Sequence, residues 1–458
     1  MAEKAVTLSE TIEALMESKK YSSVRDILVT MNPADIAAMF DDMDESLLPR
    51  LFRLLPKDDA AETFVEMDSD TQELLIQGFS DSELKEVVDE LYVDDAVDLV
   101  EEMPANVVKR ILKQADSETR KMINEILRYP EDCAGSIMTT EFVTLRPDMD
   151  VEAAIKRIRR TGVDSETINN CYVTDDHRHL IGTITIRTII LADEDDVIEQ
   201  IMEENVISVT TLDDREDVAA MFTKYNFTAI PVVDGENRMV GIVTVDDAME
   251  VIEAETTEDI ELMAGATPID KPYLKTSAFH FFVARFPWLA LLMVSATFTG
   301  IILNFYEDAL SRVSALTLFI PMLMGTGGNS GSQTSATVIR ALSVGDLEFK
   351  DILRVIGKEL LTALMCGVCM AIVTFGKIML VDNLIMGNPA VTAGVAMTVG
   401  LTLILIILAA KFVGCVLPML ADKIGVDPAV MAAPFISTFV DALSLLAYFA
   451  VAQRVLGL

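Results

Sequence analysis

The chain has 458 residues, 51% of them hydrophobic, with 72 acidic and 36 basic side chains and a formal net charge of −36. The imbalance belongs to residues 1–275, which hold 62 acids and 26 bases, whereas the remainder holds ten of each. A surface this acidic repels polyanions, which argues against nucleic acid as a partner. Five scattered cysteines and three histidines suggest neither a disulfide framework nor a histidine metal site.

Residues 1–130 have the pattern of short stacked helices. Segments that begin at Pro33, Lys57 and Val93 each place an Asp near the start, as if to cap a helix, and then apolar residues three and four positions apart. The intervals of 24 and 36 residues between these segments indicate a degenerate helical repeat. The pattern therefore predicts an all-α superhelical domain.

Two pairs of acids in these helices lie four residues apart, Asp58 with Glu62 and Asp94 with Asp98. Neighbouring like charges on a helix repel each other. If these faces meet another acidic surface, divalent cations would have to lie between them, because such cations bind carboxylate oxygens. An acidic face that serves only solubility is the alternative.

Residues 131–252 contain a second repeat, in which an apolar strand, a helix, a pair of strands and a further helix occur twice. The strand pairs fall within residues 171–187 and 230–246. This pattern resembles a pair of CBS domains, a β-α-β-β-α unit used twice, and the resemblance covers both units. It predicts an α+β domain pair in this part of the chain.

The resemblance to CBS domains implies an adenine-nucleotide site, with ATP as the candidate ligand. The Thr and Asp of a Gly-x-x-Thr-x-x-Asp ending would lie near the ribose. The second unit supplies them as Thr244 and Asp247, and Arg187 completes the candidate set. In the first unit Thr188 stands where the Asp is expected. A CBS pair that acts only as a hinge and dimer contact is therefore an equal alternative.

Residues 246–275 have the most uneven charge distribution. No base occurs between Arg238 and Lys271, while acids follow one another at helical spacing. Such a helix repels itself and is costly without counterions. Because it leads directly to the first membrane span, we expect a connecting helix beneath the membrane domain that reports cation occupancy. An ordinary solvated acidic linker is the alternative.

Residues 276–458 are predicted to form five membrane-spanning helices, since about 20 apolar residues in a helix cross a bilayer core of about 30 Å. The loops after spans two and four are the more basic ones, the latter through Lys411 and Lys423. By the positive-inside rule the N-terminal half is cytoplasmic and the C-terminus external. The charge-poor windows are 287–306, 313–339, 360–376, 383–410 and 428–453.

Asp441 is the single charge in the last of these windows and lies near its middle. An ionised carboxylate at that depth is costly unless a cation compensates it, so an acid there is by default a functional-site hypothesis. The residues therefore indicate a cation inside the membrane. The alternatives are a polar contact between packed helices and a carboxyl group that stays protonated.

The order of these regions and two membrane motifs resemble the MgtE magnesium channels along the whole chain. The motifs are GTGGNSGSQTSATVIRAL at 325–342 and VDPAVMAAPFISTFVD at 426–441. The resemblance implies that Asp441 is the pore cation site, assisted by the backbone carbonyl of Ser437. Asn329 and Gln333, in the first motif, would orient water around the ion. Ala433 stands where some members have Asn, so a side-chain oxygen is absent there.

The sequence thus predicts a multidomain α-helical membrane protein. Its parts are an all-α N domain (1–130), an α+β CBS pair (131–252), an acidic connecting helix (246–275) and a five-helix channel domain (276–458). We expect a homodimer in the cell membrane that takes up Mg2+ through a shared pore and closes when intracellular Mg2+ binds its acidic cytoplasmic domains. The candidate regulatory ligands are Glu62, Asp94, Asp98, Glu216, Asp247, Glu250, Glu255, Glu258 and Asp259.

Two hypotheses from other functional classes stay open at this point. An ion-coupled exporter of divalent cations would use Asp441 as a carrier site. A membrane-anchored nucleotide sensor would transport nothing. The sequence shows no nucleophile-base constellation or phosphate loop, so no enzyme is expected.

Overall fold

The fold is that of a computed structural model, which describes residues 7–41, 43–163, 165–269, 271, 273–431 and 433–457. Predictions that include residues 1–6, 42, 164, 270, 272, 432 or 458, or the side chain of Ala433, lie outside the described residues at those positions. The chain divides into two compact units, Met1–Ile252 and Glu253–Leu458.

The first unit begins with short helices that pack around a shared apolar core. They are α1 (Leu8–Glu17), α2 (Tyr21–Leu28), α3 (Pro33–Asp41), α4 (Leu48–Phe52), α5 (Lys57–Val65), α6 (Ser69–Gly78), α7 (Asp81–Val88), α8 (Val93–Glu102), α9 (Ala105–Gln114) and α10 (Ser117–Ile126). Helix α7 shows why they form. Ser80 and Glu83 make a capping box at its start, and Leu84, Val87 and Val88 lie buried along one side.

The Asp residues of the repeated segments are not all the caps that the sequence predicted. Helices α5 and α8 begin after Pro56 and Tyr92, and neither of these side chains makes a capping hydrogen bond. The acids instead lie in the first turn, where a negative charge interacts favourably with the helix dipole. In α8 the amide of Val93 donates to Oε2 of Glu141 (3.1 Å), so a residue distant in sequence satisfies the helix start.

Two three-stranded sheets follow in the part of the first unit that the structure describes. In each sheet the first strand is parallel to the second, and the second is antiparallel to the third. A helix connects the parallel strands, which confirms the predicted β-α-β-β-α unit and its repetition. The elements are β1 (Phe142–Leu145), α11 (Val151–Thr161), β2 (Thr167–Thr174), β3 (Leu180–Thr185), α12 (Ile186–Leu191), α13 (Ile198–Ile201), β4 (Val209–Thr210), α14 (Arg215–Tyr225), β5 (Ala229–Val233), β6 (Met239–Thr244) and α15 (Val245–Met263).

The second β-α-β-β-α unit shares its apolar core with the preceding helices. Val209, Ile230 and Val243 belong to one buried cluster with Val97 and Ile126. Burial of apolar surface is the main favourable term in such packing. The shared core places α8 beside the start of α15, and this brings the acidic residues of the two helices together.

The second unit consists mainly of long helices. Among the described residues, four segments are long and apolar enough to cross a membrane: Ala278–Phe305, Phe349–Ile385, Ala393–Lys423 and Pro428–Leu456. The elements are α16 (Ala278–Phe305), α17 (Glu307–Arg312), a 3₁₀ helix (Ser314–Phe319), α18 (Ile320–Ser343), a 3₁₀ helix (Phe349–Asp351), α19 (Ile352–Lys377), a π-helical segment (Ile378–Ile385), α20 (Ala393–Lys423), a 3₁₀ helix (Pro428–Met431) and α21 (Ala433–Leu456).

Besides these four segments, the described part of the second unit has one more long helix, α18, which carries the Gly-, Ser- and Thr-rich motif. It packs against α20 and α21, and small residues such as Gly327, Ser330 and Gly331 are buried along it. An interior helix does not need the continuous apolar surface of a helix that faces lipid. Its polar composition is therefore compatible with a place inside the helix bundle.

The structure contradicts the prediction that Lys411 lies in a loop. Helix α20 continues to Lys423, and Lys411 is buried within it. The positive charge is tolerated there because Glu359 pairs with it, with 3.1 Å between Nζ and Oε2. A window that stops at the first charged residue ends the helix too early. The loop after α20 therefore does not contain Lys411, one of the two bases in that loop on which the predicted membrane orientation rested.

Candidate functional site

A cavity of about 370 Å³ lies between α18 and α21. Both membrane motifs contribute to it, although they are far apart in the sequence. Three of the predicted pore residues, Asn329, Ser437 and Asp441, are brought together here. The complete lining is Met324, Gly325, Gly328, Asn329, Ser332, Pro434, Ser437 and Asp441.

The close approach of α18 and α21 at this cavity depends on glycine. A methyl group on Gly328 would lie 3.4 Å from Cβ of Ser437. On Gly327 it would lie 2.9 Å from Cγ1 of Val440, which is closer than side chains tolerate. The glycines of the motif therefore let the backbone of α18 come near the face of α21 that carries Asp441.

Asp441 is half-buried, and none of the described residues forms an ion pair with it. Within the described part of the chain its carboxylate forms neither an ion pair nor a side-chain hydrogen bond. The hydroxyl of Ser437 is already used, since it donates to the carbonyl oxygen of Pro434 (2.9 Å). The carboxylate is therefore available to a cation in a place where an unpaired anion is costly.

Gln333 lies one helical turn after Asn329 on α18 but is not part of the cavity lining. Both side chains are exposed in the single chain. The cavity consequently has an open side next to these two amides. The prediction that Gln333 faces the ion path stays a prediction.

A second acidic site lies in the first unit, where carboxylates from α8, from the start of α15 and from the first β-α-β-β-α unit meet. We call it the carboxylate cluster. Asp94 is buried and Asp247 half-buried, whereas Asp98 and Glu250 are exposed, so the cluster opens to solvent on one side. Its members are Asp94, Asp95, Asp98, Glu141, Glu166, Asp246, Asp247 and Glu250.

The carboxylate cluster holds protons more tightly than ordinary acids do. Desolvation by the surrounding protein, and then repulsion from Asp247, raises the pKa of both Asp95 and Asp98 to about 7, although part of the Asp98 side chain still reaches solvent. Burial, and then repulsion from the acids at the start of α15, raises the pKa of Glu166 to about 8. The pKa of Asp94 is raised by the same two causes. Near neutral pH the cluster therefore retains some of its protons, and a bound metal cation would compete with them.

Four predicted regulatory residues meet in the carboxylate cluster: Asp94, Asp98, Asp247 and Glu250. Sequence reasoning missed Asp95, Glu141, Glu166 and Asp246. Asp95 and Asp246 are chain neighbours of predicted residues, and a helical wheel that kept the adjacent acids would have found them. Glu141 and Glu166 reach the cluster only through the tertiary fold, so no local signal points to them.

Two other predicted residues lie elsewhere on the first unit. Glu62 is exposed on α5. Glu66, just after the same helix, helps to raise the pKa of Glu250 by repulsion. The larger causes of that shift are burial and repulsion from Asp247. Glu216 lies in the first turn of α14, where its amide donates to Oδ1 of Asp214 (2.9 Å).

The remaining predicted acids, Glu255, Glu258 and Asp259, lie on the second half of α15. Oγ of Ser343, the last residue of α18, donates to Oδ2 of Asp259 (3.1 Å). Burial raises the pKa of Asp259, while this hydrogen bond opposes the shift. An acid of the connecting helix thus contacts the end of a cavity-lining helix.

Apolar contacts reinforce this end of α15. Leu262 and Met263 pack against Ile339 of α18 and Ala429 of the 3₁₀ helix that precedes α21. The connecting helix is therefore joined by side-chain contacts to α18 and to the 3₁₀ helix that precedes α21. A change at this end of α15 would act directly on these two elements.

The acidic groups are not preformed metal cages. No set of three His, Cys, Asp or Glu side chains in the described ranges is arranged to hold a metal ion directly. Mg2+ usually keeps several waters and binds through one or two carboxylates. The charge and chemistry of the cluster suit such a hydrated ion, which needs no closed shell of protein ligands.

The candidate nucleotide residues are partly committed to other contacts. Oγ1 and the amide of Thr244 both donate to Oδ2 of Asp247, at 2.5 and 3.3 Å. Asp247 is also a member of the carboxylate cluster. Arg187 is exposed on the short helix α12. A ribose bound there would thus compete with the cluster for the carboxylate of Asp247.

Comparison with known proteins places the chain in a family. Residues 320–451 match the MgtE divalent cation transporters, residues 31–132 the MgtE intracellular N domain, and residues 134–195 and 198–254 the CBS domain. The chain is 36% identical over 453 residues to the magnesium transporter MgtE of Thermus thermophilus, with 98% of each chain covered. The chain belongs to the MgtE family. It is also 32% identical over 439 residues to the magnesium transporter MgtE of Bacillus subtilis, covering 96% of this chain and 95% of the relative.

Solved structures support the same assignment for about half of the chain. The cytosolic domain of the Mg2+ channel MgtE in complex with ATP is 34% identical, with a TM-score of 0.51, and covers 53% of this chain and 100% of that one. The soluble part of a magnesium transporter is 31% identical, with a TM-score of 0.50, and covers 54% of this chain and 97% of that one. The predicted family and fold class are confirmed.

The carboxylate cluster predicts an unusual dependence of stability on pH. Its pKa values are higher in the folded than in the unfolded chain, so its contribution to stability is full at low pH and is lost as pH rises from about 4 to about 8. In buffer free of divalent cations, the thermal midpoint of residues 1–275 should fall between pH 5 and pH 8 by roughly 4–8 °C, the shift that about 2 kcal/mol produces in a domain of this size.

The double variant Asp95→Asn/Asp98→Asn should flatten this pH dependence, because neither amide titrates. Asp58→Asn, at an exposed acid on α5, is the control and should leave the slope unchanged. Calorimetry across this pH range measures both slopes. If the double variant keeps the full wild-type slope, these two cluster acids do not cause it.

Proposed function

We propose that the protein is a Mg2+-selective channel for magnesium uptake. The observation that carries the proposal is the cavity in which Asp441, without a counter-charge in the described chain, faces the motif of α18. Mg2+ dehydrates reluctantly and is usually held by one or two carboxylates with several waters retained. Asp441 supplies the carboxylate, and the carbonyl of Ser437 and the amide of Asn329 are suited to the waters. The relatives named magnesium transporters favour this ion over other divalents.

The functional unit in this proposal is a homodimer. The cavity is open beside the exposed side chains of Asn329 and Gln333. A second copy of the chain would cover this side and bring two Asp441 carboxylates to one axis. Two carboxylates attract a divalent cation more strongly than one and still leave room for its waters. Light scattering of the detergent-solubilised protein tests this assembly, and a monomer would contradict it.

The proposed location is the cell membrane, with the N-terminal half in the cytoplasm and the C-terminus outside. Arg340, Lys350, Arg354 and Lys358 lie at the facing ends of α18 and α19 and on the segment between them. The positive-inside rule counts Lys and Arg rather than net charge, and these four bases favour the cytoplasmic side for that connection. Protease access to a C-terminal tag on intact cells tests the orientation.

Intracellular Mg2+ closes the channel in this proposal. Without divalent cations, carboxylates a few ångströms apart repel by about 1 kcal/mol or more per pair near a protein surface. A bound divalent cation reverses the sign of this interaction. Helix α15 begins with Asp246 and Asp247 of the carboxylate cluster and ends in contacts with α18. Closure then requires that the cations bind the closed form more tightly than the open form.

The first test concerns the pore. Asp441→Asn removes the charge at the cavity while conserving the shape of the side chain, and we expect Mg2+ flux into proteoliposomes to be abolished without loss of the folded protein. Asp441→Glu should be intermediate, because it keeps the charge and displaces it by one methylene. Asp382→Asn, at an ion pair with Lys377 outside the cavity lining, is the control. Wild-type flux in Asp441→Asn would contradict the assignment, and currents no faster than a carrier's turnover would favour the exporter.

The second test concerns the sensor. We expect millimolar Mg2+ to protect residues 246–262 of the intact protein from proteolysis, because bound cations remove the self-repulsion of α15. NaCl at equal ionic strength screens charges but bridges none, so it should protect much less. Limited proteolysis with mass spectrometry measures the cleavage rate in both salts. Equal protection would mean that the acids form only a solvated surface.

ATP is the third element of the proposal, as a ligand of the CBS pair. Thr244 and Asp247 are the supporting residues, and the relative solved with ATP shows that a cytosolic domain of this family can hold the nucleotide. A ligand that binds only the native state raises its thermal midpoint by mass action. Residues 131–252 should therefore shift upward with millimolar ATP, and Thr244→Val should reduce the shift. No shift in the wild type would favour the hinge hypothesis.

A further inference from the structure

A buried triad of polar side chains joins three helices of the membrane domain. Nζ of Lys411 donates to Oγ1 of Thr334 (2.9 Å) and to Oε2 of Glu359 (3.1 Å), and Oγ1 of Thr334 donates to the same oxygen of Glu359 (2.9 Å). The side chains of Lys411 and Glu359 are only 9% and 18% exposed. The triad links α20 to α18 and α19.

Stability alone does not account for this triad. Withdrawing two charges from water costs free energy that their attraction often fails to recover, and apolar residues of similar volume frequently replace such a pair without loss. Charged residues at membrane depth are rare and tend to serve function. Unlike an apolar contact, the triad has directional hydrogen bonds. These bonds specify one relative position of the three helices.

The backbones of α18 and α20 touch directly beside the triad. A methyl group on Gly414 would lie 2.5 Å from the carbonyl oxygen of Gly331, so no side chain fits between the two helices there. Gly331 and Thr334 are one turn apart on α18, as are Gly414 and Lys411 on α20. Helix α18 is thus held by a backbone contact and by the hydrogen bonds of the triad on adjacent turns.

Thr334 lies on the side of α18 that faces away from the cavity. At about 100° per residue, it is about 180° around the helix from Gly325 and about 140° from Asn329. Both of these residues line the cavity. A rotation of α18 that broke the triad would therefore move Asn329 relative to Asp441.

We propose that Lys411, Glu359 and Thr334 are positioning residues that fix the rotation of α18 and so set the distance between Asn329 and Asp441 across the cavity. This distance determines how many waters a passing cation can keep. It therefore controls selectivity for Mg2+, which dehydrates reluctantly, over a divalent that loses water more readily, such as Mn2+. The inference rests on the proposed function, in which the cavity is the ion path.

The experiment measures Mg2+ and Mn2+ flux into proteoliposomes together with the thermal midpoint of each full-length variant. Glu359→Gln/Lys411→Met removes both charges and leaves no unpaired one, so it should fold with a midpoint near that of the wild type. Its ratio of Mg2+ to Mn2+ flux should fall by about threefold or more, which is within the range found for residues that act on a site indirectly. Thr334→Val keeps the shape and removes the hydroxyl, and it should change the ratio in the same direction.

The matched control removes another ion pair of the second unit. Among the described residues, this pair forms no hydrogen bond with α18. Lys377→Met/Asp382→Asn breaks the contact of 2.8 Å at the end of α19 and should leave the flux ratio unchanged. A wild-type ratio in Thr334→Val and in a folded double variant would overturn the inference. If the double variant does not fold, Thr334→Val alone decides. Absence of Mg2+ flux in the wild type would instead contradict the proposed function.

Discussion

The structure depends on one physical constraint, which is that a carboxylate withdrawn from water needs a positive charge beside it. Asp441, in a membrane helix, forms no ion pair within the described part of the chain, and in the first unit burial and repulsion from neighbouring acids raise the pKa of Asp94. Protonation is one way to neutralise such carboxylates, and the raised pKa values of Asp95 and Glu166 favour it. A divalent cation neutralises them more completely, because one ion compensates two carboxylates. In the proposed function, permeation and sensing therefore use the same chemistry at two places.

Glu359 shows the opposite solution to this constraint. Lys411 neutralises the charge of Glu359, and Thr334 donates to the same carboxylate oxygen. Asp441, on α21, has neither kind of partner among the described residues. In the proposed function Glu359 therefore holds helices together, whereas Asp441 is left for the cation. Their roles follow from their partners, since burial alone does not distinguish them.

The sequence predicted the parts of the fold that have a periodic hydrophobic pattern or clear boundary residues. The two β-α-β-β-α units, the helical first domain and the long apolar helices each have a local signal, and the lone charge in the last window identified Asp441. Features that depend on tertiary contacts were missed. Lys411 was assigned to a loop because a hydropathy window contains no information about Glu359, its partner on another helix. Glu141 and Glu166 join the carboxylate cluster only through the packing of the first unit. The expected capping by Asp also failed in α8, where the distant Glu141 accepts the first amide, and in α5, which begins after Pro56.

In the proposed function, helix α15 connects the sensor to the pore. Its first turn contributes Asp246 and Asp247 to the carboxylate cluster, and its last turn places Leu262 against Ile339 of α18. Between these ends the helix carries acids and no base, so its own stability rises when cations are present. In the proposed gating, a change in cation occupancy would alter the contacts of α15 with α18. Because the triad holds α18 by hydrogen bonds to Thr334, such a change would act on a helix whose position at the cavity is otherwise defined.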